Sequence, residues 1–306
     1  MVQSGAVTAG VVPFENSTNG AVVFTLEDFA DRNGRFKDLI VLGEVYVDVH
    51  HCLVGRADPS SSATPSTTGE DLNNNEGGSG TCTPTATDPR PVRPRTKPLS
   101  GLGHIKRLYS HPQAFGQCTA FISTYLKGVE IFEVSSTSKA AEIVSEDETG
   151  TGAAISSQLA AELHGLDFLG RSIEDKDDNR TRFLIIARAP TVTGGRPPAE
   201  WELNQRRYDE GGATGNGCSK SLLSFTVPHE SPGALAEALS CFKAFDLNLT
   251  SINSVPSLLK PFEYIFFVEF RGDRYNDTEG RVEGALGRIT GAAHSSRFLG
   301  SWKRYG

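Results

Sequence analysis

Short apolar runs alternate with polar caps and helical spacing along the first part of the chain. Val11 and Val12 lead into Glu15-Asn16-Ser17-Thr18, behind which Val22, Leu26 and Phe29 recur at helical intervals. Ile105 to Tyr109 lead into Ser110-His111-Pro112, followed by Phe115, Cys118, Ile122 and Tyr125, with Pro112 suited to a first helical position. Val129 to Val134 lead into Ser135-Ser136-Thr137 before Ala140, Ala141 and Val144, and Ala153 to Ile155 lead into Ser156-Ser157 before Leu159 and Leu163. Strand-to-helix passages repeated in this way predict an α/β architecture with a largely parallel sheet.

The pattern changes beyond a breaker. Thr191 to Gly217 carries Gly194-Gly195, Pro197-Pro198 and Gly211-Gly212, and marks a domain boundary. After it, Leu223, Phe225 and Val227 alternate on one face of a strand, and Ser231-Pro232 caps a helix with Leu235, Leu239 and Phe242. Leu247 to Val255 and Tyr264 to Phe270 form two further strands, Thr278 opens a helix with Val282, Ala285, Leu286 and Ile289, and Arg297 to Trp302 closes with a last strand. The order βαββαβ is the ferredoxin-like plan. One internal stretch, from Asp58 to Pro98, is rich in Ser, Thr, Pro, Asn and Gly, with Leu72, Cys82 and Val92 almost its only apolar residues. It cannot bury enough surface to offset ordering entropy and reads as a disordered insertion.

Composition narrows the partners. The 306 residues are 38% hydrophobic and 22% charged with a net charge of -7, a globular balance that works against nucleic acid and anionic membranes as partners. The mean hydropathy is -0.28. No apolar run approaches the roughly 18 residues a membrane span needs. Met1 to Gly10 lacks the basic region and apolar core of a secretory signal, so a cytoplasmic location is expected and the N-x-S/T sequons at Asn16, Asn179, Asn248 and Asn276 read as ordinary residues. Cys52, Cys82, Cys118, Cys218 and Cys241 are odd in number and scattered, which suggests neither a disulfide framework nor zinc.

The caps are themselves candidate chemistry. Each would put unsatisfied backbone N–H groups and the positive end of a helix dipole at the carboxyl end of a strand, where open α/β sheets bind ligands. Several together would hold an anion, although Ser, Thr and Asn are also simply good caps. The polar turn Asp177-Asp178-Asn179-Arg180 delivers Thr181 and Arg182 to the start of a strand through Phe183, Leu184, Ile185 and Ile186. A hydroxyl and a guanidinium there could reach a common cleft, or the turn could be a solvated approach to an edge strand. Gly212 to Ser221 resembles a phosphate-binding loop only faintly, because Gly217 and Lys220 are not adjacent. His50, His51, His104 and His111 have no Cys or carboxylate at ligand spacing, so no metal is expected.

Four motifs stand in a familiar order. Pro13-Phe14-Glu15-Asn16-Ser17 fits PxENS, Ser110-His111-Pro112-Gln113 is SHPQ, Ser136 to Ala141 follows, and Asn179-Arg180-Thr181-Arg182-Phe183 fits NxTRF. With them the chain resembles the prephenate dehydratase family. Beyond the linker, Ser231 to Leu235, Asn248 to Pro256 and Tyr264 to Phe270 resemble that family's regulatory ACT domain. The resemblance implies a two-lobed, periplasmic-binding-protein-like catalytic domain over residues 1–190, interrupted by the insertion at 58–98, a linker at 191–216, and a ferredoxin-like ACT domain at 217–306. It implies decarboxylative dehydration of prephenate to phenylpyruvate without a cofactor, in phenylalanine biosynthesis. Thr181 would donate the proton to the departing hydroxyl, and Asn16, Ser17, Ser110, Gln113, Ser136, Thr137 and Arg182 would bind or position the substrate. L-phenylalanine would act as allosteric effector on a pocket of Gly233, Ala234, Leu235, Asn253, Ser254 and Pro256, in a homodimer or tetramer.

Two departures qualify these expectations. In that family a strand, a GPxGTYS-like loop, a helix and another strand precede PxENS, and here Pro13 stands near the start, which would truncate the first lobe and leave an exposed sheet edge. Val255 occupies a place where the regulatory motif usually carries Arg, which bears on phenylalanine sensing. The alternatives are an arogenate dehydratase, and a truncated, non-catalytic amino-acid-binding regulatory protein.

Overall fold

A computed structural model describes residues 1–58, 93–189, 219–228 and 230–303. The expected insertion, apart from its ends, and the expected linker at 191–216 lie outside the described residues. By contact the chain divides into two units, Met1–Asp48 with Arg180–Gly306, and Val49–Asn179. The division does not follow chain order, because the polypeptide leaves the first unit after Asp48 and returns to it at Arg180.

The first unit holds two four-stranded sheets. One is built from β1 (Ala9–Asn16), β2 (Gly20–Ala21), β3 (Leu39–Asp48) and β9 (Arg180–Arg188) in the order β2-β1-β9-β3, with α1 (Val23–Ala30) between β2 and β3. The other is built from β10 (Ser219–Thr226), β11 (Leu249–Pro256), β12 (Tyr264–Arg271) and β13 (Ser295–Lys303) in the order β11-β12-β10-β13, with two helices in its connections, Ala234–Ala244 and Arg281–Ala292. Chain order there is strand, helix, strand, strand, helix, strand. Alternation along these strands builds two cores. Leu223, Phe225, Val268 and Phe270 face the two helices, meeting Ala238, Phe242, Ala285 and Ile289. Leu222, Val255, Phe267, Leu299 and Trp302 face the first sheet, meeting Phe14, Leu26, Val41, Leu184 and Ile186. At Gly300, where φ is +139°, an added Cβ would collide with the Val41 carbonyl, so β13 and β3 approach as closely as only glycine permits.

The second unit is a five-stranded sheet, β6-β5-β7-β4-β8, from β4 (Cys52–Gly55), β5 (Arg107–Ser110), β6 (Glu130–Glu133), β7 (Gly152–Ser156) and β8 (Asp167–Gly170). On one face α2 (Pro112–Gln117) and α3 (Thr119–Tyr125) pack Ala114 and Phe121 over Leu53, Leu108 and Ile155; on the other α4 (Thr137–Ser145) and α5 (Gln158–His164) pack Ala140, Ala141 and Ala161 over Val54 and Ala154. The two remaining helices, in chain order, are α6 (Ala234–Ala244) and α7 (Arg281–Ala292).

Several expectations need correction. The sheets are not largely parallel: among the described residues only β6-β5-β7 pair in parallel, while β1, β3 and β9, and β4 with β7 and β8, pair antiparallel. Parallel neighbours need a crossover, which α2–α3 and α4 supply between β5, β6 and β7, whereas β9 arrives from the second unit and inserts between β1 and β3. The polar stretch after β1 caps no helix, since α1 starts from Val22 with no side-chain cap. The helix α7 opens from Gly280 and not at Thr278, and the Asp277 carboxylate accepts from its Arg281 and Glu283 amides at 3.0 and 2.9 Å. The expected helix through Phe115 and Tyr125 is broken at Cys118, and Asp175 caps its second half by accepting from the Thr119 and Ala120 amides. Ser136, Ser157 and Pro112 stand where the sequence predicts, with Ser136 Oγ accepting from the Lys139 amide and Ser157 Oγ from the Ala160 amide.

Candidate functional site

The turn after β1 carries the first expected residues. Asn16 Oδ1 accepts from the Thr18 and Asn19 amides at 3.0 and 2.9 Å, closing a turn that Gly20, with φ +78°, sends back along β1 as β2. Its Nδ2 donates to the Arg180 carbonyl at 3.2 Å and to Thr181 Oγ1 at 3.1 Å. Ser17 completes the tie: its amide donates to the Arg180 carbonyl and its hydroxyl accepts from the Arg180 amide, both at 2.9 Å. The structure therefore brings Asn16, Ser17 and Thr181 together across the β1–β9 register pair of Asn16 and Thr181. The Thr181 oxygen accepts from Asn16, and its own hydrogen is left for donation elsewhere. That is the geometry a hydroxyl acid needs.

Arg182 points the other way. Successive residues of a strand face opposite sides. Thr181 is half-buried beside Asn16, while Arg182 is buried with Leu184 and Ile186 on the face turned to the second sheet. Its Nε lies 2.9 Å from Glu44 Oε2, at an angle unsuited to a hydrogen bond, its Nη2 pairs with Glu269 Oε2, and its Nη1 stands 3.5 Å from Glu15. Lys220 Nζ bridges the same two acids, 3.3 Å from Glu44 and 3.1 Å from Glu269, and Thr250 Oγ1 donates to Glu269 at 2.7 Å. Exposure is 6% for Arg182, 7% for Lys220, 2% for Glu269 and zero for Glu44. Burial pushes the Glu269 carboxyl up, and the Arg182 and Lys220 charges with the Arg182 and Thr250 hydrogen bonds outweigh it, holding the group below the ordinary range. The substrate-facing position expected of Arg182 is thus replaced by a buried ion cluster. Sequence reading passed over Glu44, Lys220 and Glu269; the available signal was a carboxylate in phase with Phe267 inside the apolar strand YIFFVEF.

In the second unit the expected residues separate as well. Ser110 is fully buried and its hydroxyl donates to the Ile155 carbonyl at 2.7 Å, so it ties β5 to β7. Gln113 is exposed on the first turn of α2, its amide donating to His111 Nδ1 at 3.2 Å. Ser136 is exposed and Thr137 half-buried at the N-terminus of α4, and the Thr137 carbonyl accepts from Ser156. His51 is buried against Gln117 at 2.6 Å, and Glu174 accepts from the His51 amide, with His50 at 3.2 Å.

The expected effector residues lie at one end of the C-terminal sheet. β10 and β11 both run antiparallel to β12, so the end of β10, leading to Gly233, Ala234 and Leu235, and the end of β11, with Asn253, Ser254 and Pro256, share an edge. Gly233 has φ +85° at the start of α6, Ala234 is buried, and Leu235 packs on the helical core. Asn253 donates to Ser251 at 3.1 Å, Ser254 is exposed, and the Pro256 carbonyl accepts from the Arg32 guanidinium at 2.6 and 3.0 Å. Val255 is buried at 2% exposure. A cavity of about 380 Å³ lies at the opposite end of this sheet, lined among others by Asn248, Arg271, Asp273 and Asp277.

A model of the prephenate dehydratase family matches residues 1–65 and 95–191, more than half of the chain. The chain belongs to the prephenate dehydratase family. Family members align along nearly its whole length: the bifunctional chorismate mutase/prephenate dehydratase of Aquifex aeolicus is 29% identical over 303 residues, 99% of this chain. The chain spans only 63% of that relative's length. The prephenate dehydratase of Methanocaldococcus jannaschii is 30% identical over 87% of this chain and 72% of its own. Among solved structures, prephenate dehydratase from Arthrobacter aurescens in complex with L-Phe superposes with a TM-score of 0.67 at 27% identity, over 99% of this chain and 77% of that one. Among the described residues no helix is long and apolar enough to cross a membrane.

Proposed function

We propose that this family member converts prephenate to phenylpyruvate, with Thr181 as the proton donor. The bond from the ring to its carboxylate breaks and CO2 leaves, the released electron pair enters the ring, and the carbon–oxygen bond to the ring hydroxyl breaks as the Thr181 hydrogen turns that hydroxyl into water. Thr181 then regains a proton from solvent. Formation of the aromatic ring supplies the driving force, so the protein has only to orient the substrate and deliver a proton. The observation that carries this reading is the Asn16–Thr181 hydrogen bond at 3.1 Å, which fixes the hydroxyl as an acceptor toward Asn16 and so aims its hydrogen outward. An alkyl hydroxyl is a weak acid, so its proton moves as the leaving oxygen gains charge. In residues 49–179, the α4 N-terminus with Ser136 and Thr137 is the element suited to a carboxylate, and the exposed amide of Gln113 can add a hydrogen bond.

The finer architecture belongs to the same proposal. Residues 1–190 correspond to a two-lobed, periplasmic-binding-protein-like catalytic domain and residues 217–306 to a ferredoxin-like ACT domain, a reading supported by the strand order β11-β12-β10-β13. L-phenylalanine binds that domain at Gly233, Ala234, Leu235, Asn253, Ser254 and Pro256 and regulates the enzyme, a reading supported by the L-Phe complex of the Arthrobacter relative. The protein works in the cytoplasm as a homodimer or tetramer. The deciding experiment is Thr181→Val, which keeps the β-branched shape and removes the hydroxyl. Formation of phenylpyruvate, followed by its enolate absorbance, should lose about 10² to 10⁴-fold in kcat, the span of general acid catalysis, with KM changed less than about twofold. A variant with near-wild-type kcat would reject the assignment, and a parallel assay with arogenate, followed by phenylalanine formation, separates the two dehydratase substrates.

A further inference from the structure

We propose that Arg182 is a positioning residue: by pairing at once with Glu44 on β3 and Glu269 on β12, it fixes the β9 segment that carries Thr181 against the C-terminal sheet. The proposal rests on the dehydratase reading for what Thr181 does, and on the buried cluster for how Thr181 is held. Two features make the cluster a locator. The guanidinium reaches buried carboxylates on two different strands and, at 3.5 Å, the partly exposed Glu15 on β1, and Lys220, from β10, bridges the two buried carboxylates, so five strands meet at one ionic site. A buried ion pair displaced from its partner leaves an uncompensated charge, a larger cost than loosened contacts of apolar neighbours such as Leu184 and Ile186. Thr181 is the residue before Arg182. A displacement of the Arg182 backbone reaches the Thr181 backbone through a single peptide link.

The C-terminal sheet is thereby part of the catalytic apparatus without touching substrate. β12 carries Glu269 on the face turned to β9, while its Val268 and Phe270 lie in the core under α6 and α7. A shift of β12 under those helices has a direct route to Thr181.

Glu269→Gln tests this, because it keeps the shape and removes the charge that Arg182 answers. The expected result is a fall of about tenfold in kcat with KM within twofold, the signature of a displaced catalytic group. Hydrogen exchange should rise in peptides covering Arg180 to Phe183 and stay at the wild-type level over Leu223 to Thr226. Thr250→Val, which removes only the hydroxyl donor to Glu269, should move both readouts in the same direction by less, and serves if the first variant does not fold. Arg182→Lys keeps the charge without the fork and should fall between wild type and Arg182→Met in kcat. A rise in KM with kcat unchanged would show Arg182 on the substrate and overturn the proposal. So would wild-type exchange over Arg180 to Phe183, or a uniform rise across both segments. If the wild-type protein forms no phenylpyruvate, the dehydratase reading fails, and the exchange comparison still decides whether the cluster holds this segment.

Discussion

Asn16→Asp separates the structural from the chemical part of the Asn16–Thr181 pair. The substitution is nearly isosteric and keeps an acceptor toward the Thr18 and Asn19 amides, but it removes the Nδ2 donor to the Arg180 carbonyl and to Thr181 Oγ1. The bond to the Arg180 carbonyl is lost and that carbonyl is left facing a carboxylate, a cost of about 1 to 2 kcal/mol, while the bond to Thr181 is reversed and the charge strengthens the two from the Thr18 and Asn19 amides, which returns part of it. A net loss of about 1 kcal/mol lowers Tm by about 2 to 4 °C in a protein of this size. The effect on turnover is larger for a different reason: the new carboxylate is acceptor-only, so the Thr181 hydroxyl turns to donate to it and its hydrogen is withdrawn from the leaving group. We predict a kcat loss of about 10²-fold or more, toward that of Thr181→Val. Thermal unfolding and phenylpyruvate release measured on Asn16→Asp, Thr181→Val and the double variant decide the matter. If Asn16 acts through Thr181, the double variant is no slower than Thr181→Val alone. Independent, multiplying losses, or wild-type kcat in Asn16→Asp, would refute the reasoning.

Further outcomes follow from the same structure. Ser136→Ala should destabilise by about 1 kcal/mol through the lost α4 cap and raise KM for prephenate; a KM equal to wild type would remove α4 from substrate binding. Gly300→Ala should destabilise by roughly 1 to 3 kcal/mol, read as a shift in denaturation midpoint, because its methyl meets the Val41 carbonyl and its φ disfavours any side chain. Stability should also fall in acid. Glu269 and Asp147 are held below their ordinary ranges; at Asp147 burial pushes the carboxyl up, and hydrogen bonds from Thr149, the Arg107 charge and the Gly152 amide together outweigh it. Each therefore contributes stability above its unfolded value, 4.5 for Glu269 and 3.8 for Asp147, which is lost as pH drops through the lower folded value. Denaturation midpoints of Glu269→Gln should show a shallower decline below about pH 4.5 than wild type, and an identical decline would contradict the burial of that charge.

Periodicity was readable wherever a residue's partner is local. Ser136 and Ser157 sit three residues before the amides they cap, so the cap is visible in the sequence. Asn16 is as good a capping residue and has none of the role, because Gly20 reverses the chain into β2 before any helix begins, and the bonds that matter run to Arg180 and Thr181 more than 160 residues away. Strand direction was hidden for a related reason. The alternation of strands and helices describes β5 to β7 well, but β3 pairs with β9 across the whole second unit, and no local pattern records that return. Ser110 shows the limit on the site itself: an SHPQ serine looks like a ligand in sequence, while its burial and its bond to the Ile155 carbonyl emerge only once β7 lies beside β5.

Val255 ties these strands of reasoning together. Where the regulatory motif usually carries Arg, the β-strand phase turns this side chain inward with Leu222, Phe267 and Trp302, onto the face that meets Phe14 and Leu26. A guanidinium there would enter the apolar cluster around Leu222, Phe267 and Trp302, and a buried charge without a partner is among the costliest changes a core can take. Valine is what that packing requires. A guanidinium nonetheless reaches the end of β11 from another element, since Arg32, just past α1, donates twice to the Pro256 carbonyl. The PxENS turn leads directly into α1, so the same short stretch that positions Asn16 against Thr181 also grips the strand end where the proposed effector residues Asn253 and Ser254 lie. The substitution at Val255 thus coincides with a physical link between the two ends of the proposed regulation, one that runs through Arg32.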